Sequence, residues 1–172
     1  MSRLSKCTIE HSANPCIRYL LEAHAERTPD AVAIAAPGRP PLTYDRLLTH
    51  VKTVVETLNA LGVGRSNRVD MVLPQGPEMA VALLAVAAGT TCAPLNPAYR
   101  SNELDFYLSD NAKALMVQSG IDSPAIAVAQ RRGIPVIELS PVLEAEAGIF
   151  TLRGKDRLHL ARNGFTRPTM WL

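Results

Sequence analysis

Aromatic side chains are scarce, 5% of the 172 residues, so a core has to be built from Ala, Val, Leu and Ile at close range. Cysteine is equally thin. Cys7, Cys16 and Cys92 are odd in number and unrelated in spacing, which excludes a disulfide framework and a Cys/His zinc site. Cys92 sits in an apolar stretch and reads as a small buried hydrophobe. No apolar run approaches the roughly 20 residues of a membrane span; the longest is Met79–Ala88. The first residues have no signal-like apolar core, and Met170-Trp171-Leu172 is not an address for peroxisome or endoplasmic reticulum. These gaps give the expectation of a cytoplasmic protein with no membrane partner.

No strong charge bias exists overall. The formal net charge is +2, with 47% hydrophobic and 20% charged residues, an ordinary globular composition. The distribution is uneven, however. Residues 1–152 carry a balance of −2, and residues 153–172 one of +4. That basic end lacks interleaved aromatics, so it is read as a solvated tail and not as a nucleic-acid site.

What is present is an alternation of helical and extended patterns. Asn14-Pro15 starts a first helix, as an N-cap followed by proline. Ala31–Ala35 reads as a short strand, and Pro37-Gly38-Arg39-Pro40 as a turn. Thr43 caps the clearest helix, in which Leu47, Leu48, Val51, Val54, Val55, Leu58 and Leu61 share one face. Gly62 ends it in the left-handed region. Strands follow at 68–73, 91–94, 114–118 and 135–139. Between them lie helices at 78–88, apolar all round, at 102–110 behind a Ser101 cap, and from Ser123-Pro124 to about 132. Strands separated by helices of this length predict βαβ units: an α/β fold with a mainly parallel sheet and covering helices. The expected organisation is an extension at 1–13, the folded domain at 14–150, and a basic, poorly ordered tail at 151–172.

The ordered series Thr43-Tyr44-x-x-Leu47, Leu58-x-x-Leu61-Gly62-Val63, Arg68-Val69, Leu73-Pro74-Gln75-Gly76-Pro77-Glu78, Ala85-x-x-x-Gly89, Ala93-Pro94-Leu95-Asn96-Pro97-x-Tyr99, Glu103-Leu104 and Tyr107-Leu108 resembles the N-terminal region of the adenylate-forming (AMP-binding) superfamily. That superfamily joins acyl- and aryl-CoA ligases, peptide-synthetase adenylation domains and luciferases. Pro94-Leu95-Asn96-Pro97 is most similar to the CoA ligase branch, and the resemblance runs over about Ile17–Leu139. It implies an ATP-dependent acid–CoA ligase, which joins a carboxylate to AMP and then to CoA, with ATP, Mg and CoA as cofactors of the full-length family.

The family's Ser/Thr-Gly-rich phosphate loop, ending in Pro-Lys, and its later motifs lie beyond the matched region. The resemblance therefore implies a partial N-terminal subdomain, inactive alone, with no catalytic, cofactor-binding or metal residue and no cofactor of its own. A complementary C-terminal ligase fragment is the partner it suggests. An independent flavodoxin-like module is the alternative left by the βαβ rhythm alone. Residues 163–169 echo the phosphate loop in Gly164, Thr166 and Pro168, with Thr169 where lysine is expected; a decayed loop and a frame-changed tail both account for this.

Three departures stand out: Ser66-Asn67 in place of Gly-Asp, Gln75 in place of Asn, and Asp70 within a strand. A lone buried carboxylate is costly, so Asp70 has to face solvent or find a partner. His11, His24, His50 and His159 are read as surface residues. Tyr99 and Arg100 are read as a structural turn, stabilised by Asn96, that in a full-length enzyme could border a substrate or CoA channel. Glu78 is read as meeting the dipole of its helix.

Overall fold

The computed structural model describes residues 16–108 and 111–154. In chain order it contains α1 (Ile17–Arg27), β1 (Val32–Ile34), β2 (Leu42–Thr43), α2 (Tyr44–Ala60), β3 (Arg68–Val72), α3 (Pro77–Gly89), β4 (Thr91–Pro94), α4 (Ser101–Tyr107), β5 (Ala112–Gln118), α5 (Pro124–Arg131), β6 (Val136–Pro141) and β7 (Phe150–Gly154). β1 and β2 form a small antiparallel ribbon. The main sheet has the order β4-β3-β5-β6-β7, parallel through β6 and antiparallel only at β7.

Residue alternation in the central strands decides the layers. Val69, Met71, Ala114, Met116, Ile137 and Leu139 face one cluster with Leu47, Val51, Val54 and Leu58 of α2 and Val81, Ala82, Ala85 and Val86 of α3. Val72, Leu115 and Val117 face the other, with Leu104 of α4 and Ala125, Val128 and Ala129 of α5. The sheet is thus covered on both faces, as the continuous apolar runs of a parallel sheet require.

Helix α2 forms as its periodicity predicts. Thr43 Oγ1 accepts from Arg46 N at 3.4 Å, capping the first turn. At the other end Val63 N donates to Leu58 O and Gly62 N to Asn59 O, both at 2.9 Å. This is a Schellman arrangement, and Gly62 supplies the left-handed residue at φ +84°. Helix α3 is buried along most of its surface, Leu83 being 37% exposed.

Several boundaries differ from expectation. Helix α1 begins at Ile17 behind Cys16, and the expected cap Asn14 lies outside the described residues. Ser101 is the first residue of α4, not its cap; Glu103 Oε2 instead accepts from Arg100 N at 2.8 Å. The helix ends at Tyr107, before position 110.

The largest difference is β7. Its residues pair with β6 from Pro141↔Phe150 to Ile137↔Gly154, so residues 151–154, expected in the tail, belong to the sheet. The rest of that tail, including 163–169, lies outside the described residues. Asp70 is 1% exposed and finds a partner in Arg68. Among the described residues no helix is long and apolar enough to cross a membrane.

Candidate functional site

The chain leaves β3 through α3 to reach β4 on one side, then crosses by α4 to β5 on the other side of β3. That reversal leaves a gap beyond the carboxyl ends of β3 and β5, where open α/β sheets commonly take ligands. A cleft of about 120 Å³ occupies the place. Val72 and Pro74 follow β3, Pro97 comes from the turn after β4, and Val117 and Gln118 end β5. Ile121, Asp122 and Ser123 close it from the loop into α5.

Local chemistry explains each wall. Asn96 makes an Asx turn, its Oδ1 accepting from Ala98 N at 2.9 Å and its carbonyl from Tyr99 N at 3.1 Å. The turn presents Pro97 to the cleft. Ser123 is a true N-cap: its Oγ accepts from Ala125 N at 3.3 Å, with Pro124 at the first helical position. Gly120, at φ +77°, permits the reversal after β5.

None of these cleft residues is Lys or Arg, so among the described residues the cleft offers no cation to a phosphate. Its volume also falls below the roughly 300–1,000 Å³ of a complete small-molecule site. The residues present do not fit a nucleoside triphosphate with Mg²⁺. What they can do is hold one small apolar or planar group against Val72 and Val117, with Gln118 able to donate and accept.

The other sequence candidates lie elsewhere. Tyr99 stacks on Tyr107, ring centroids 5.2 Å apart, and the Tyr107 hydrogen bond pushes its phenol above the usual range. This pair flanks α4. His24 stacks on Tyr44 at 4.9 Å. Cys92 lies beside Met71, Sγ to Sδ 3.3 Å, and burial followed by the charge of Asp70 pushes its thiol up to about 11; expected as a buried hydrophobe, it is half-buried against the core. His11, His159 and Cys7 fall outside the described residues.

Glu78 does more than meet a helix dipole. Arg39 Nη1 donates to Glu78 Oε1 at 2.9 Å. Its Nε donates to Ala145 O at 3.1 Å, and Nη2 to Val142 O and Glu146 O, both at 2.8 Å. Read from sequence as a turn residue, Arg39 ties the loop between β6 and β7 to the start of α3. The only sequence signal was its place beside Gly38 and Pro40. His50, expected at the surface, instead packs edge-on against Phe150.

At the level of whole chains, the family model described as AMP-binding enzyme matches residues 21–159. Tyrocidine synthase 3 of Brevibacillus parabrevis is 30% identical over 152 residues, covering 87% of this chain and 2% of its own length. Oxalate–CoA ligase of Arabidopsis thaliana is 35% identical over 102 residues, covering 58% of this chain and 20% of its own. Among solved structures, ATP-bound MatB from Rhodopseudomonas palustris aligns with a TM-score of 0.64 at 26% identity, over 83% of this chain and 26% of that one. The chain thus spans a fifth or less of the length of these curated relatives.

Proposed function

We propose, because this chain belongs to the AMP-binding enzyme family, that its 172 residues are the N-terminal portion of an acid–CoA ligase. The observation that supports this most is the match over 21–159 together with the Pro94-Leu95-Asn96-Pro97 turn at the cleft. In such an enzyme a carboxylate oxygen attacks the α-phosphorus of ATP, pyrophosphate leaves, and CoA then displaces AMP as a thioester. Developing negative charge at phosphorus needs cations and backbone N–H donors aimed at it. Among the described residues the cleft has an apolar wall and no cation, which supports the reading that the chain by itself does not activate a carboxylate. ATP, Mg²⁺ and CoA would be held with residues supplied by a complementary ligase segment, in the cytoplasm.

The experiment is carboxylate-dependent ATP–pyrophosphate exchange. Purified 172-residue chain is expected to show none, and addition of a complementary C-terminal ligase segment to restore it. Robust exchange from the chain alone would sink the inactive-alone reading. Failure of every complementary segment to restore exchange would sink the reading as half of a ligase.

A second reading is an adenylation unit of a peptide synthetase, favoured by the coverage of tyrocidine synthase 3, 87% of this chain. The same reconstituted assay separates the two. Exchange driven by amino acids with no CoA thioester formed supports the second reading, and thioester formation the first.

A further inference from the structure

Helix α2 meets the start of β7 and the loop before it through two side chains one helical turn apart. At position 46 the contact is ionic: Arg46 Nε donates to Glu146 Oε1 at 2.9 Å and Nη2 to Oε2 at 3.4 Å. At position 50 it is a ring contact. The His50 imidazole stands edge-on to Phe150, centroids 4.7 Å and planes 81° apart. Phe150 is 3% exposed and begins β7.

The His50 Nε2 is buried and has no hydrogen-bond partner among the described residues. A neutral imidazole is tolerated there as one more aromatic. A protonated one would carry an N–H at the buried Nε2 with no acceptor for it among the described residues, which is costly. We infer that His50 is an acid-sensitive latch: neutral, it holds β7 and the 142–149 loop on α2, and protonated, it lets them open.

The charges that act on the ring are Arg46, from its own helix, and Glu146, from the loop; Phe150 of β7 brings none. Burial holds the imidazole below its ordinary 6.5, Arg46 adds to this, and Glu146 opposes both. With the folded value below the unfolded one, the unfolded chain takes up the proton first. The latch is whole above about 6.5 and weakens as pH falls through the window beneath it. Glu146 and Asp105, held low by their arginine partners, lose stability only below the ordinary 4.5 and 3.8. Asp70, held high by burial, works in the opposite sense. Of these groups, His50 is the one whose contribution weakens as pH first falls below neutrality.

The test is amide hydrogen exchange on the full chain, read at residues 150–154 and normalised for intrinsic exchange, from about pH 7.5 to about pH 5. Opening of β7 in the wild type is expected to rise as pH falls across this range, while β3 amides hold. In His50→Leu the profile is expected to be flat. Should that variant not fold, an NMR titration of the wild-type ring gives a second reading. The His50 ring and β7 amides should then move on one curve, with a midpoint below 6.5. Equal pH profiles in wild type and His50→Leu, or a His50 that titrates with no response at β7, would overturn the inference.

Discussion

Asp70 sits in the middle of β3, under α4, with 1% of its surface exposed. Arg68, two residues earlier and so on the same face, reaches over it. Its Nη2 donates to Oδ2 at 3.2 Å and to Tyr107 O at 3.0 Å, and its Nε lies 3.1 Å from Oδ1, out of line for a hydrogen bond. Burial pushes the Asp70 carboxyl up more than Arg68 pulls it down. A raised folded value means stability that is full at low pH and lost as pH rises through that value. At neutral pH the pair is therefore a poor source of stability, and breaking it is worse than neutralising it. Arg68→Met is expected to lower unfolding free energy by about 3–5 kcal/mol, because it strands a buried carboxylate. Asp70→Asn is expected to change it by under about 1 kcal/mol at pH 7. Urea titrations of both variants check this, and equal losses would refute it. The strand pattern requires a solvent face or a partner for Asp70, and the i, i+2 spacing to Arg68 is the available clue. Burial under α4 was not legible, because it depends on a helix more than thirty residues away.

At the scale of elements, β7 and the loop before it show how a short strand is held. Five residues with alternating burial pair, among the described residues, with β6 alone, and the loop folds back on α3. Gly148 is the tight point. At φ +90°, an added Cβ would come 2.5 Å from Val81 Cγ2 and 2.9 Å from the Pro77 carbonyl oxygen. Gly148→Ala is thus both strained and overpacked, and is expected to cost roughly 2–4 kcal/mol. A melt of this variant beside Gly120→Ala, where an added Cβ meets nothing within 4 Å, separates the two causes. If both variants lose equally, overpacking contributes nothing. Helix α2 was legible because its cap, seven-residue apolar face and terminal glycine all lie within twenty residues. Strand β7 was not. Phe150-Thr151-Leu152-Arg153-Gly154 borders the basic stretch, and its partners are β6 and, through the loop, Arg39.

At the scale of the molecule, β3 and β5 carry both apolar clusters on their two faces, so neither cluster can dissolve without the other. Leu47→Ala on the α2 face and Val128→Ala on the α5 face are expected to cost about 2–5 and 1–3 kcal/mol. Both should move a single cooperative unfolding transition with unchanged denaturant slope. Two transitions in either variant, followed by circular dichroism and by exchange at β3, would refute the shared core. The parallel α/β architecture was readable from the strand–helix rhythm, which alone also allowed a flavodoxin-like module; the family match over 21–159 separates them. The cleft was not readable, because Pro74, Pro97, Gln118 and Ser123 meet only once β5 has crossed to the far side of β3. Arg39 shows the same long reach in another form. Three of its four acceptors are main-chain carbonyls, which every residue type possesses, so the 142–146 segment can exchange its side chains without losing the contact. In a set of related sequences, correlated change should therefore link position 39 to position 78 and leave its neighbours in the loop silent.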